Sequence, residues 1–203
     1  MPQDRPKAFK CFEKAAQYGD PSALFWLGHM HRVGDKELHI RTSAAVALEY
    51  LNRSADMGHP GAMYYLAQLF RSGDECGIAA NTNLFWEYLE RAVKLEHADA
   101  LFCLGDIYLH GTDGKQQDAS QALANFRRAA ALGQKDALCS LGTVHYHAQE
   151  YDKAFQYYEA AATRHSMEAW KNLAELYLLG RGVPQSKETA EAIMLMLSKV
   201  APV

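Results

Sequence analysis

The stretch ADALFCLGDIYLHG, residues 98–111, spaces its apolar residues three and four apart, the pattern of an amphipathic helix. Gly105 stands in its middle, where glycine costs about 1 kcal/mol relative to alanine. The same word recurs as PSALFWLGHMHRVG (21–34), PGAMYYLAQLFRSG (60–73), KDALCSLGTVHYHA (135–148) and MEAWKNLAELYLLG (167–180). Its anchors are Ala23, Ala62, Ala100, Ala137 and Ala169, spaced by 39, 38, 37 and 32 residues. Four positions after each anchor comes Leu27, Leu66, Leu104, Leu141 or Leu173, and one further on Gly28, Ala67, Gly105, Gly142 or Ala174. A site that takes only glycine or alanine is one where a neighbouring helix comes too close for a larger group. Packing there outweighs the lost helix propensity.

A second word precedes each copy of the first: FKCFEKAAQYG (9–19), LEYLNRSADMG (48–58), WEYLERAVKLE (86–96), ANFRRAAALG (124–133) and QYYEAAATRH (156–165). Phe12, Leu51, Leu89, Phe126 or Tyr158 precedes a pair of small residues three and four positions on. Each unit thus predicts a hairpin of two amphipathic helices, which buries its apolar face only by stacking on its neighbours. The fold class expected is all-α, a single array of stacked hairpins: a half repeat over 7–20, then repeats over 21–59, 60–97, 98–134, 135–166 and 167–203. The loops GDKELHIRTS, GDECGIAANTN and GTDGKQQDAS are long, whereas HAQEYDKA (147–154) is a short turn.

Composition agrees. The chain has 203 residues, 49% of them hydrophobic, enough for a large core, and a net charge of −3, which does not favour generic polyanion binding. No apolar run approaches the roughly 18 residues of a membrane span, so no membrane insertion is expected. The start, MPQDRPKAFK, lacks the apolar core of a secretory signal, and the default expectation is cytoplasmic.

The pattern A-x-x-x-L-G-x-x-Y/H/F-x-x-G, a variable loop, then A-x-x-x-F/Y-x-x-A-A resembles the Sel1-like repeat, a relative of the tetratricopeptide repeat. NLAELYLLGRGVPQSKETA (172–190) carries the resemblance most fully. It implies a right-handed superhelical solenoid whose concave face binds a protein or peptide. Such arrays occur in signalling, in endoplasmic-reticulum quality control and in bacterial effectors. The fourth repeat departs from the pattern by lacking the glycine loop.

Catalytic chemistry finds no foothold. No Ser/His/Asp or paired-carboxylate arrangement maps onto the repeats, and GTDG and GRG follow no strand, so they are turns rather than phosphate loops. His29/His31 and His145/His147 are two residues apart and point to different helix faces. His31 and His145 occupy the position held elsewhere by Phe70, Tyr108 and Tyr177, and so read as packing residues rather than metal ligands. Cys11, Cys76, Cys103 and Cys139 do not recur in pairs within each unit and read as free thiols. Neither cofactor nor metal is expected, and the chain reads as a non-enzyme.

Repeat position also predicts surface. In the related tetratricopeptide arrays the first helix lines the concave face. One stripe along the first helices displays Phe25, His29 and Arg32, then Tyr64, Gln68 and Arg71, then Phe102, Asp106 and Leu109. Asp136, Cys139, Thr143 and Tyr146 follow, and the last hairpin adds Glu168, Lys171, Glu175 and Leu178. Aromatics and arginines are common anchors of binding patches. Arginines come first along this stripe and carboxylates last, so the ligand expected has acidic residues near Arg32 and Arg71, and basic ones near Asp106, Glu168 and Glu175. The competing reading is that Phe25, Tyr64 and Phe102 pack within their own hairpins. In the last helix, KETAEAIMLMLSKV, Met194 takes the packing position and Leu195 and Met196 follow where other repeats are polar. With Leu178 and Leu179 they predict an apolar outer face, covered by a second copy or a partner, unless the helix folds back to bury it. The function expected is an adaptor. A regulatory or targeting module of a larger enzyme is the alternative. Nucleic-acid binding is disfavoured by the acidic balance and by the lack of a basic residue at every groove position.

Overall fold

The computed structural model describes residues 5–200 and contains, among them, eleven α-helices and no strand, only an isolated bridge between Asp35 and Ile40. The helices are α1 (Arg5–Gln17), α2 (Pro21–Val33), α3 (Ala44–Asp56), α4 (Pro60–Ser72), α5 (Thr82–Lys94), α6 (Ala98–His110), α7 (Ala119–Ala131), α8 (Lys135–His147), α9 (Tyr151–Ala162), α10 (Met167–Leu179) and α11 (Lys187–Val200). The chain forms two compact units, one reaching to Ala100 and one from Leu101 onward. The architecture is the all-α helical-repeat fold that the two words predict.

Each word does what its composition requires. The anchor alanines Ala23, Ala62, Ala100, Ala137 and Ala169 are buried, as are Leu51, Leu89, Phe126 and Tyr158 of the second helices. A Cβ placed on Gly28 would lie 2.7 Å from Leu51 Cγ; on Gly105, 2.7 Å from the Phe126 ring; on Gly142, 2.6 Å from the Tyr158 ring. The small site of the first helix is therefore the seat for the large residue of the second, and the two words are halves of one contact.

The ends of the helices repeat as well. At four of the five anchors the residue three before caps the start of the first helix: Asp20, His59, Gln134 and Ser166 accept the backbone N–H of Ala23, Ala62, Ala137 and Ala169. At the other end the chain returns to a single carbonyl. The backbone N–H of Ser43, Asn81, Asp118 and Ser186 donates to the carbonyl of His31, Phe70, Tyr108 and Tyr177, and in the short-turn repeat Glu150 donates to His145. The side chains of Ser43, Asn81, Asp118 and Ser186 then cap the second helix. Loops of unlike length thus begin and end at equivalent places. In the GRG loop Gly180 closes α10 in the left-handed region, and a Cβ on Gly182 would lie 2.6 Å from the Tyr151 backbone.

One expectation fails in register. Met194 does not take the packing position: it is 54% exposed, and α11 turns Ala190, Ile193 and Leu197 inward instead. Residues at spacings of three and four make that inner stripe, which leaves Met194, Leu195 and Met196 together on the outside.

Candidate functional site

The concave surface of the C-terminal unit is a groove of ≈ 760 Å³ between the first helices α8 and α10, with Leu109 of α6, Phe126 of α7 and Tyr158 of α9 completing it. Seven residues of the sequence-derived stripe line it: Leu109, Asp136, Cys139, Thr143, Tyr146, Glu168 and Glu175. Sequence reasoning missed Phe126, Ser140, Val144, His147, Tyr158 and Asn172. Phe126 and Tyr158 were identifiable only as packing residues of the second helices. They serve as such, yet also line the groove.

The walls are held by specific bonds. Thr143 Oγ1 donates to the Cys139 carbonyl at 3.1 Å and lies 3.1 Å from the Tyr158 hydroxyl. The Asn172 amide donates to Cys139 Sγ at 3.5 Å. Burial, helped by the Glu168 carboxylate, pushes the Cys139 thiol up to about 11, so at neutral pH it is a protonated, weakly polar wall group rather than a nucleophile. Tyr146 donates its hydroxyl to Glu175 Oε1 at 2.7 Å, receives a hydrogen bond from Arg181 and lies under that guanidinium. The bond to Glu175 raises the pKa of the phenol, since the carboxylate is best served by a protonated donor. Asp136 accepts from the Gln134 amide at 3.1 Å, and Glu168 lies 3.5 Å from Lys171, which stands outside the groove lining.

In the N-terminal unit several stripe residues are engaged by partners within the chain. Arg32 donates to Asp74 at 3.3 Å, donates to the Tyr65 hydroxyl and lies over the Tyr65 ring. Asp74 is itself fixed by the backbone N–H groups of Cys76 and Ile78 in the loop it opens. Phe25 stacks on His59 at 5.4 Å and meets Tyr65 edge-on, while Tyr64 meets His97 at 5.3 Å with the rings tilted by 30°. These aromatics pack against the residue that precedes the next first helix. His29 meets Trp26 and Tyr65. Arg71 lies 5.6 Å over the Phe85 ring, Gln68 is half-buried, Asp106 lies 3.3 Å from His110, and Phe102 packs on Phe126. His31 and His145 stack in parallel on Tyr50 and Tyr157 of their own hairpins. All four cysteines are free thiols. Among the described residues no group of three His, Cys, Asp or Glu side chains is arranged to hold a metal, and no helix is long and apolar enough to cross a membrane. At the far end, Leu178, Leu179, Leu195 and Met196 are 46%, 47%, 57% and 40% exposed.

The Sel1 repeat profile matches residues 1–20, 21–59, 60–97, 98–134, 136–166 and 171–197. No curated protein matches the chain in sequence. Among solved structures, a Sel1 repeat protein from Oxalobacter formigenes superposes with a TM-score of 0.83 at 24% identity, over 100% of this chain and 58% of its own. The protective antigen c5321 of uropathogenic Escherichia coli gives 0.76 at 20%, over 96% of this chain and 41% of its own. The immunity protein PA5088 from Pseudomonas aeruginosa gives 0.67 at 21%, over 98% and 75%. The chain thus spans about half the length of the first two, and these likenesses establish the fold alone.

Proposed function

The chain belongs to the Sel1 repeat family, whose members are commonly protein-interaction modules, and from that premise we propose that it is a non-enzymatic adaptor holding a peptide or protein segment in the groove of its C-terminal unit. The observation that carries the reading is the ≈ 760 Å³ concavity in whose lining seven residues of the periodic first-helix stripe come together. A site of this size, apolar with a few oriented polar groups, is the form that ligand sites take. Arg32, one of the two arginines expected to meet an acidic end of the ligand, has Asp74 and Tyr65 as partners within the chain.

Val144 lines the groove and is 44% exposed, so tryptophan there fills the groove without disturbing the core. Displayed random dodecapeptides, selected on the wild-type protein, should yield sequences whose binding is lost on Val144→Trp. If every selected peptide binds the variant unchanged, the groove is not the site.

A second reading has its own observation. Leu178, Leu179, Met194, Leu195 and Met196 form an exposed apolar surface on the last hairpin, and we propose that a second copy of the chain covers it.

A further inference from the structure

The groove lining has a one-sided charge. Asp136, Glu168 and Glu175 line it, and neither lysine nor arginine does; His147 is the only other basic-capable side chain among the lining residues. Two of the three carboxylates are already oriented from within the chain, Glu175 by the Tyr146 hydroxyl at 2.7 Å and Asp136 by the Gln134 amide at 3.1 Å. Neither donor is itself charged; the Arg181 guanidinium stands behind the Tyr146 hydroxyl, over its ring and outside the groove lining, and reaches Glu175 only through that hydroxyl. Glu168 has Lys171 at 3.5 Å, but both side chains are more than half exposed, and such a pair is readily exchanged for another cation. The remaining wall is apolar or weakly polar: Leu109, Phe126, Cys139, Val144 and Tyr158.

We infer that the occupant of this groove is a protein segment in which a lysine or arginine stands beside a large apolar residue. The cation meets Glu168 and Glu175, and the apolar neighbour lies against Cys139, Val144 and Tyr158. The inference rests on the groove reading above and adds the chemistry of its ligand. A lysine or arginine suits both parts of the site, since its aliphatic stem covers apolar surface while its charged head reaches the carboxylates. Carboxylates facing a low-dielectric wall attract a cationic partner at long range and repel phosphate, which selects protein over nucleic acid. The protonated thiol of Cys139 adds to the apolar wall rather than to the charge.

Three fluorescein-labelled dodecapeptides test this by polarisation: alternating Lys/Leu, alternating Glu/Leu and alternating Lys/Ser. The Lys/Leu peptide should bind roughly tenfold or more tighter than either of the others, and the difference should shrink with salt. Glu168→Gln with Glu175→Gln should weaken it by roughly fivefold or more, as the loss of two partly exposed ion pairs requires. Both side chains are exposed, and glutamine at 175 still accepts from Tyr146, so the fold is kept. Glu159→Gln with Glu191→Gln, an equal charge change outside the groove, should alter binding less than about twofold. A Glu/Leu peptide that binds as tightly as Lys/Leu, or a groove double variant that binds unchanged, overturns the inference. If Val144→Trp still abolishes that Glu/Leu binding, the groove reading survives and only its ligand chemistry is wrong.

Discussion

Gly105 and its neighbour Asp106 differ by one position and by opposite demands on the fold. A Cβ on Gly105 would lie 2.7 Å from the Phe126 ring and 3.2 Å from the Ala122 carbonyl, and Phe126 is buried. Gly105→Leu should therefore destabilise the protein by ~2–4 kcal/mol in a denaturant melt, because overpacking a tight helix contact moves backbone as well as side chains. Asp106 is half-buried and pairs with His110, an i,i+4 contact 3.3 Å long between two largely solvated groups. Asp106→Ala should change stability by less than about 0.5 kcal/mol. The reverse order of the two variants would show that the repeat register is wrong. This much was legible in the sequence, since a position restricted to glycine and alanine across five copies reports a close contact wherever it is. The partners of Arg32 were not. Its carboxylate, Asp74, belongs to a loop with no counterpart of fixed length in the other repeats, and only the folded chain brings the two to 3.3 Å.

At the scale of the helix, capping is where residue type and repeat position disagree. Asp20, Gln134 and Ser166 cap first helices through oxygens that stay acceptors at any pH where the fold exists near neutrality. His59 does the same work through Nδ1, at 2.9 Å from the Ala62 nitrogen, and only the neutral ring can accept. Burial lowers the pKa of His59 from its ordinary 6.5, against a smaller raising effect of Asp20. Burial lowers His29, His31 and His97 as well, with Arg32 adding to the effect at His29 and His59 adding to it at His97. Glu13 and Asp99 oppose it at His31 and His97. The unfolded chain therefore binds more protons than the folded one in the window just below 6.5. The stability these groups contribute is present above that value and lost as the pH falls through the folded pKa values. Amide exchange across α2–α4 should accordingly report easier opening at pH 5 than at pH 7.5, after correction for intrinsic rates. His59→Asn keeps an acceptor at the cap without a titrating ring, and should flatten the pH dependence. An unchanged slope would place the effect in the other three histidines. Sequence alone did not reveal this role, because histidine is not among the residues that usually begin a helix. The loop ends were equally hidden: the carbonyl to which each chain return is bonded belongs to the Phe/Tyr/His position, and a backbone acceptor leaves no mark on residue choice.

For the molecule as a whole, the array was readable because five copies of two words average out local accidents, while the groove was readable only in the C-terminal unit. There seven of the stripe residues line the groove; in the N-terminal unit Phe25 and Tyr64 meet Tyr65, His59 and His97, which the sequence offered no means of placing. The apolar surface of the last hairpin is the reverse case. Its residues were correctly expected outside although Met194 was assigned inward, because three consecutive large apolar residues on one helix cannot all face a core that α11 meets through Ala190, Ile193 and Leu197. Five side chains between 40% and 57% exposed on α10 and α11 are more than scattered surface apolarity. Methionine at two of them suits a contact that must adapt to its partner. Burying such side chains fully contributes about 1.5–3 kcal/mol each, and the partial exposure they start from leaves a smaller but additive gain for a contact made twice across a two-fold axis. Leu195→Glu combined with Met196→Lys changes neither net charge nor any inward-facing residue, so the variant should keep the wild-type helical circular dichroism while light scattering falls to the monomer mass and the melting temperature loses its dependence on protein concentration. A wild-type protein that scatters as a monomer at high concentration removes the second copy from this surface.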